Sequence, residues 1–221
     1  MEQEFLSDID VTFNKLKLDF KNSWDVKIER IALNTSEAIL VYVDGMINRD
    51  LLNRDIIAPL KSVNFDGDIA KSVFTSLKNT DDSREFVLEV LNGNLGIYYN
   101  KKNFVCDIKK WDKRSVETPD SENVTRGPRE GFTEDLITNT TLLRRKIRNE
   151  NLVMESRILG RQSRTTVIVC YVDGLVNRDV LNNLRRRLDE IDCDAILETG
   201  KIEQLIEKKS MSLINGMGLT Q

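Results

Sequence analysis

Between residues 4 and 21, Phe5, Ile9, Phe13, Leu16 and Phe20 recur at spacings of three and four, which places them on one face of a helix. Val26, Ile28 and Arg30 alternate as a strand would, and residues 38–43 form an unbroken apolar run of the length of a buried strand. Asp44-Gly45 then turns the chain. Asn48 is placed to cap a following helix with Asp50 in its first turn, and Pro59 predicts a break or a fresh start in that helix. Further on, the pattern predicts a helix over 69–77, a hairpin pair over 85–91 and 96–99, and a strand over 104–108.

The order then recurs: a helix over 133–148, strands over 152–159 and 166–172, a turn at Asp173-Gly174 and a helix over 178–191. Val180, Leu181, Leu184, Leu188 and Ile191 form the expected buried stripe of that last helix, and a short helix is expected over 202–208. The recurrence is also literal. The twelve residues from Tyr42 to Asn53 return from Tyr171 to Asn182 with nine identities and three apolar exchanges. Upstream, Phe5, Asp8, Ile9, Leu16, Asn22, Val26, Arg30 and Ile31 face Phe132, Asp135, Leu136, Leu143, Asn149, Val153, Arg157 and Ile158. A repeat this long predicts two similar globular lobes rather than a stacked array. The expected architecture is mixed α/β: a first subdomain over 1–111, a linker over 112–130 and a second subdomain over 131–221. The linker follows from a stretch, 112–126, with four acids, three basic residues, a proline and almost nothing apolar.

Composition narrows the function classes. A net charge of −3 offers no basic field for phosphate contacts, so no nucleic-acid partner is expected. No apolar run approaches the roughly 18 residues that would span a bilayer, and the start is acidic, unlike a signal peptide, so the 221 residues read as soluble. Cys106, Cys170 and Cys193 lack paired spacing and are expected to be buried, reduced thiols. Histidine is absent, which removes His-dependent triads, His-ligated metals and His pH switches.

The Asp44-Gly45 and Asp173-Gly174 pairs admit two readings. Carboxylates at strand ends could hold a ligand or metal; alternatively these are strand-to-helix turns that need the positive φ glycine tolerates, the preferred reading. Gly127-Pro128-Arg129-Glu130-Gly131-Phe132 resembles an anion-binding loop but lacks the Gly-Lys-Ser/Thr ending of a P-loop. It reads as a rigid turn into a helix whose first turn is served by Thr133, Glu134 and Asp135. Asp192, Asp194 and Glu198 follow no calcium-loop pattern. No catalytic, cofactor or metal site is expected, so the chain is not read as an enzyme.

The stretch from Trp111 to Pro119, followed by Arg126 and the string Gly127-Pro128-Arg129-Glu130-Gly131-Phe132-Thr133-Glu134-Asp135, closely resembles the GerA family of spore germination proteins. The likeness continues through Asn139, Arg144-Arg145, Gly160-Arg161, Gly174, Arg186-Arg187-Leu188 and residues 202–207, and more sparsely through 55–60 and 91–94. It implies the cytoplasmic N-terminal region of the A subunit of a nutrient germinant receptor, at the spore-core face of the inner membrane. A membrane segment outside these 221 residues, B and C subunits as partners, an oligomeric receptor and ion-channel activity are further implications. So are two α/β subdomains resembling substrate-binding proteins. Two functions follow: assembly and relay of the nutrient signal, or direct binding of the nutrient by this domain.

Overall fold

A computed structural model describes residues 8–33, 36–62, 77–110, 131–196 and 200–206. The chain divides into two compact units, residues 1–150 and 151–221.

In the first unit the long apolar run becomes β2 (Glu37–Val43), a central strand flanked by β1 (Val26–Ala32) and β4 (Leu95–Tyr99). With β5 (Lys102–Cys106) and β3 (Lys78–Thr80) it completes an antiparallel sheet in the order β1-β2-β4-β5-β3. All six residues after Glu37 are buried, because both faces of β2 are covered. Ala38, Leu40 and Tyr42 join one core cluster with Leu52, Ile56 and Leu60; Ile39, Val41 and Val43 join another with Leu16, Phe20, Phe86 and Val90. The period of two in a strand thus distributes one apolar run between two helical layers. The first layer is α2, which winds as an α-turn over Arg49–Leu51, a π-helix over Leu52–Ile57 and an α-helix over Ala58–Ser62. The second contains α1 (Asp8–Asp19) and α3 (Ser83–Leu91).

The fresh start expected near Pro59 is found at Ala58: the π-helix, closed by the Ala58 N–H on the Asn53 carbonyl, gives way there to an α-helix with Pro59 in its first turn. Other expectations are corrected. Residues 85–91 are helical, not a strand. Asp82 caps α3 by accepting from the Arg84 N–H at 2.8 Å, and Phe86, Val87, Val90 and Leu91 are buried at helical spacing. The hairpin is instead β4–β5, joined by Asn100 and Lys101, both with positive φ, the geometry of a type I′ turn. α3 lies so close to β4 that a Cβ on Gly96 would stand 2.5 Å from Phe86 Cζ. The helix expected over 69–77 falls on residues outside those described, apart from Leu77, as does the whole of the linker over 112–130.

The helix expected to open the second lobe, α4 (Leu136–Lys146), belongs to the first unit. Arg144, 1 % exposed, donates from Nε to Asp25 Oδ2 at 2.8 Å and from an Nη to Asp25 Oδ1 at 3.0 Å. The contacts therefore divide the chain at residue 150 rather than within 112–130, since a buried bidentate pair ties α4 to the start of β1.

The second unit is smaller among the described residues: a two-stranded antiparallel sheet of β6 (Leu152–Leu159) and β7 (Thr165–Val172), then α5 (Arg178–Asp189) and a helical segment over 200–206. Its core holds Leu159, Leu188 and Ile196, with Val167, Val169, Leu184 and Ile191 partly buried against them. Val180, expected in the buried stripe, is 64 % exposed. Of the cysteines only Cys106 is buried; Cys170 is exposed and Cys193 half-buried. Strand register also corrects one sequence pairing. Val26 lies opposite Val43 and Leu152 opposite Val172, so Leu152 rather than Val153 corresponds to Val26.

Candidate functional site

Both copies of the repeated dodecamer fold into the same local device. In the first, the Asp44 N–H donates to the Asp25 carbonyl at 2.7 Å, Gly45 takes φ of 82°, and Asp44 Oδ1 accepts from Arg49 at 2.8 Å. Asn48 then caps α2 by accepting from the N–H groups of Asp50 and Leu51. In the second, the Asp173 N–H donates to the Asn151 carbonyl at 2.7 Å, Gly174 takes φ of 89°, Arg178 pairs with Asp173, and Asn177 caps α5 through Asp179 and Val180. The glycines are required at these φ values, and each aspartate is occupied by an arginine five residues on. Among the described residues no group of three or more acidic or cysteine side chains is arranged to hold a metal.

A tyrosine just before each turn bonds a glutamate on the neighbouring strand: Tyr42 to Glu29 at 2.8 Å and Tyr171 to Glu155 at 2.6 Å. In the first unit burial, then the Glu29 carboxylate, pushes the Tyr42 hydroxyl well above its ordinary value. In the second unit Arg185 joins, donating from Nε to Glu155 Oε2 at 3.0 Å and from Nη2 to the Tyr171 hydroxyl at 3.1 Å. That guanidinium holds the Glu155 carboxyl below the usual carboxylate range, while burial and then Glu155 push Tyr171 up.

The surroundings separate the two devices. Over the first turn lies α4: Thr141 Oγ1 donates to the Asp44 carbonyl at 3.3 Å, and a Cβ on Gly45 would stand 2.4 Å from Thr141 Oγ1 and 2.7 Å from Ile137 Cγ2. One turn further along α4, Arg144 reaches Asp25 and Ser23, and Ser23 Oγ donates to Asp25 at 2.7 Å. Over the second turn nothing among the described residues lies within 4 Å of a Cβ on Gly174, and Leu175 is 82 % exposed.

The signature string meets this site only at its end. Gly127, Pro128, Arg129 and Glu130 lie outside the described residues. Among the described residues nothing stands within 4 Å of a Cβ on Gly131, and Phe132 is 69 % exposed. The helix starts later than expected, with Asp135 as the cap, its carboxylate accepting the Thr138 N–H at 2.8 Å and held low by the Thr138 hydroxyl first and that N–H second. Thr133 is tied to Asn139, whose Oδ1 accepts the Thr133 N–H and whose Nδ2 donates to the Thr133 carbonyl, both at 2.7 Å. Glu134 is exposed beside them. Sequence reasoning missed Ser23, Asp25 and the role of Arg144. The available signal was Ile137, Thr141 and Arg144 at spacings of four and three, one helix face on which a charge and a hydroxyl stand where apolar residues are expected.

The profile of the Bacillus/Clostridium GerA spore germination protein family matches residues 14–221. The chain belongs to the GerA family. Relatives include spore germination protein KA of Bacillus subtilis (strain 168), 29% identical over 218 residues covering 93% of this chain and 40% of that protein. GerLA of Bacillus cereus is 30% identical over 200 residues, covering 85% of this chain and 41% of its own length. This GerA-family chain thus spans about two fifths of the curated relatives it matches. The crystal structure of the N-terminal domain of the A subunit of the Bacillus megaterium spore germinant receptor GerK3 shares the mixed α/β fold. Its TM-score is 0.64 at 23% identity, covering 94% of this chain and 78% of that one. No described helix is long and apolar enough to cross a membrane.

Proposed function

We propose that this chain is the non-catalytic N-terminal domain of a germinant receptor A subunit, which assembles with B and C subunits and relays the nutrient signal that triggers germination. Its place would be the spore-core face of the inner membrane, with membrane attachment and channel activity supplied by the part of the receptor outside these residues. One observation carries the assembly role. The dodecamer's device is built twice with the same bonds, yet α4 covers the first turn while Gly174, Leu175 and Val180 of the second are open. Exposed apolar side chains on a rigid, hydrogen-bonded turn suit a docking surface for another subunit. The test is Leu175→Ser with Val180→Ser in the full receptor. Loss of subunit co-purification and of germination, with the melting temperature of the domain retained, is expected; normal co-purification overturns the reading.

A second reading is that the domain binds a small molecule itself. A cleft of about 410 Å³ in the first unit favours it, a volume within the range of ligand pockets. Calorimetry of the chain against amino acids, sugars and cations tests it, since a ligand selective for the folded state raises the melting temperature.

A further inference from the structure

Among the described residues the cleft in the first unit is lined by Lys109, Lys110, Arg145 and Arg148 against a single acid, Glu89, in a chain whose overall charge is −3. Its cations are held by architecture. The Lys110 N–H donates to the Met46 carbonyl at 2.9 Å and Ile47 pairs with Lys109, so the first dodecamer's turn fixes the lysine pair. Arg145 lies in the last turn of α4 and Arg148 just beyond it, with Arg148 Nε donating to the Arg145 carbonyl at 3.3 Å. The one acid is engaged, since Glu89 accepts from Asn94 Nδ2 at 2.5 Å. Part of the lysine charge is already answered: Lys109 stands 3.8 Å from Asp107, and Lys110 helps hold Asp135 low. The two arginines have no carboxylate partner among the described residues. The C-terminal ends of α3 and α4 carry partial negative charge that favours nearby cations, but half a charge each does not balance four. Met46 supplies a buried apolar wall.

We infer that this cleft binds a small anion bearing two or more phosphate or carboxylate charges, with Arg145 and Arg148 as the planar forks and Lys109 and Lys110 as point charges. Guanidinium groups recognise both oxyanions bidentately, and the cleft's volume exceeds what one such group fills. The inference deepens the small-molecule reading by naming the ligand class, and the two fail differently: a neutral amino acid or sugar bound in the cleft keeps that reading and sinks this one.

The experiment titrates the 221-residue chain with pyrophosphate and with citrate by calorimetry, and tests retention on vesicles containing phosphatidylglycerol. The Arg145→Gln/Arg148→Gln chain and an Arg54→Gln control on the exposed side of α2 run alongside. Binding that weakens with added salt, falls at least tenfold in the double variant and is unchanged in the control is the expected result. Vesicle retention lost in the double variant, without binding of the soluble anions, assigns the same site to a lipid headgroup. Absence of both, or binding indifferent to the double substitution when the variant's melting temperature is unchanged, overturns the proposal. If the double variant melts early, Lys109→Gln alone supplies the comparison, with a smaller loss expected.

Discussion

The turns after β2 and β7 have the same four leading residues, the same positive-φ glycine, the same arginine clasp and the same asparagine cap, yet one is covered and the other open. The difference lies in what arrives from elsewhere in the chain. α4 brings Ile137, Thr141 and Arg144 to the first turn, and behind it β2 is paired on both sides in a five-stranded sheet. Among the described residues β7 has one partner, β6, and its residues are half-buried or exposed. A local sequence can therefore specify a local device completely while leaving its role in the core undetermined.

The comparison breaks most sharply at Arg144. Arg144→Ala leaves Asp25 buried without its partner and is expected to cost about 3–5 kcal/mol, read by denaturant unfolding, whereas Asp25→Leu with Arg144→Met together should cost far less. Retention of stability in Arg144→Ala would mean α4 is not part of the first core. Gly45→Ala comes next: crowding against Thr141 and Ile137 adds to left-handed strain, for about 2–4 kcal/mol, while Gly174→Ala meets only the strain, about 1–2 kcal/mol. Equal losses at the two glycines would erase the distinction drawn between the turns.

Acid sharpens it further. Glu155 has a lowered native value, so its bond to Arg185 contributes stability that is fully present above the unfolded glutamate value of about 4.3 and is lost as pH falls through the native value beneath it. Protection factors against hydrogen exchange in the second unit, corrected for the intrinsic rate at each pH, should therefore fall below about pH 4, and Glu155→Gln should flatten that dependence. The smallest effect belongs to Leu175→Ser, expected within about 0.5 kcal/mol of the parent because the side chain is already in water.

The apolar run before Asp44, the cap at Asn48 and the positive-φ glycines were legible because each depends on neighbours within a few residues. The span over 85–91 was misread because a short apolar segment fits either period; the Asp82 cap and packing against Gly96 select the helix. The one-residue slip that paired Val26 with Val153 came from matching letters. The register is set across the strand, where Glu29 and Glu155 each meet a tyrosine hydroxyl.

Sequence alone determined the family resemblance, the mixed α/β class and the repeated turn, since identity, periodicity and capping are properties of contiguous residues. Only the tertiary structure decided that α4 joins the first unit, that Arg144 is buried on Asp25 over a sequence separation of 119, and that four cations share one cleft with Met46. Burial and charge compensation depend on which distant segments meet, and neither hydrophobic period nor local propensity carries that information.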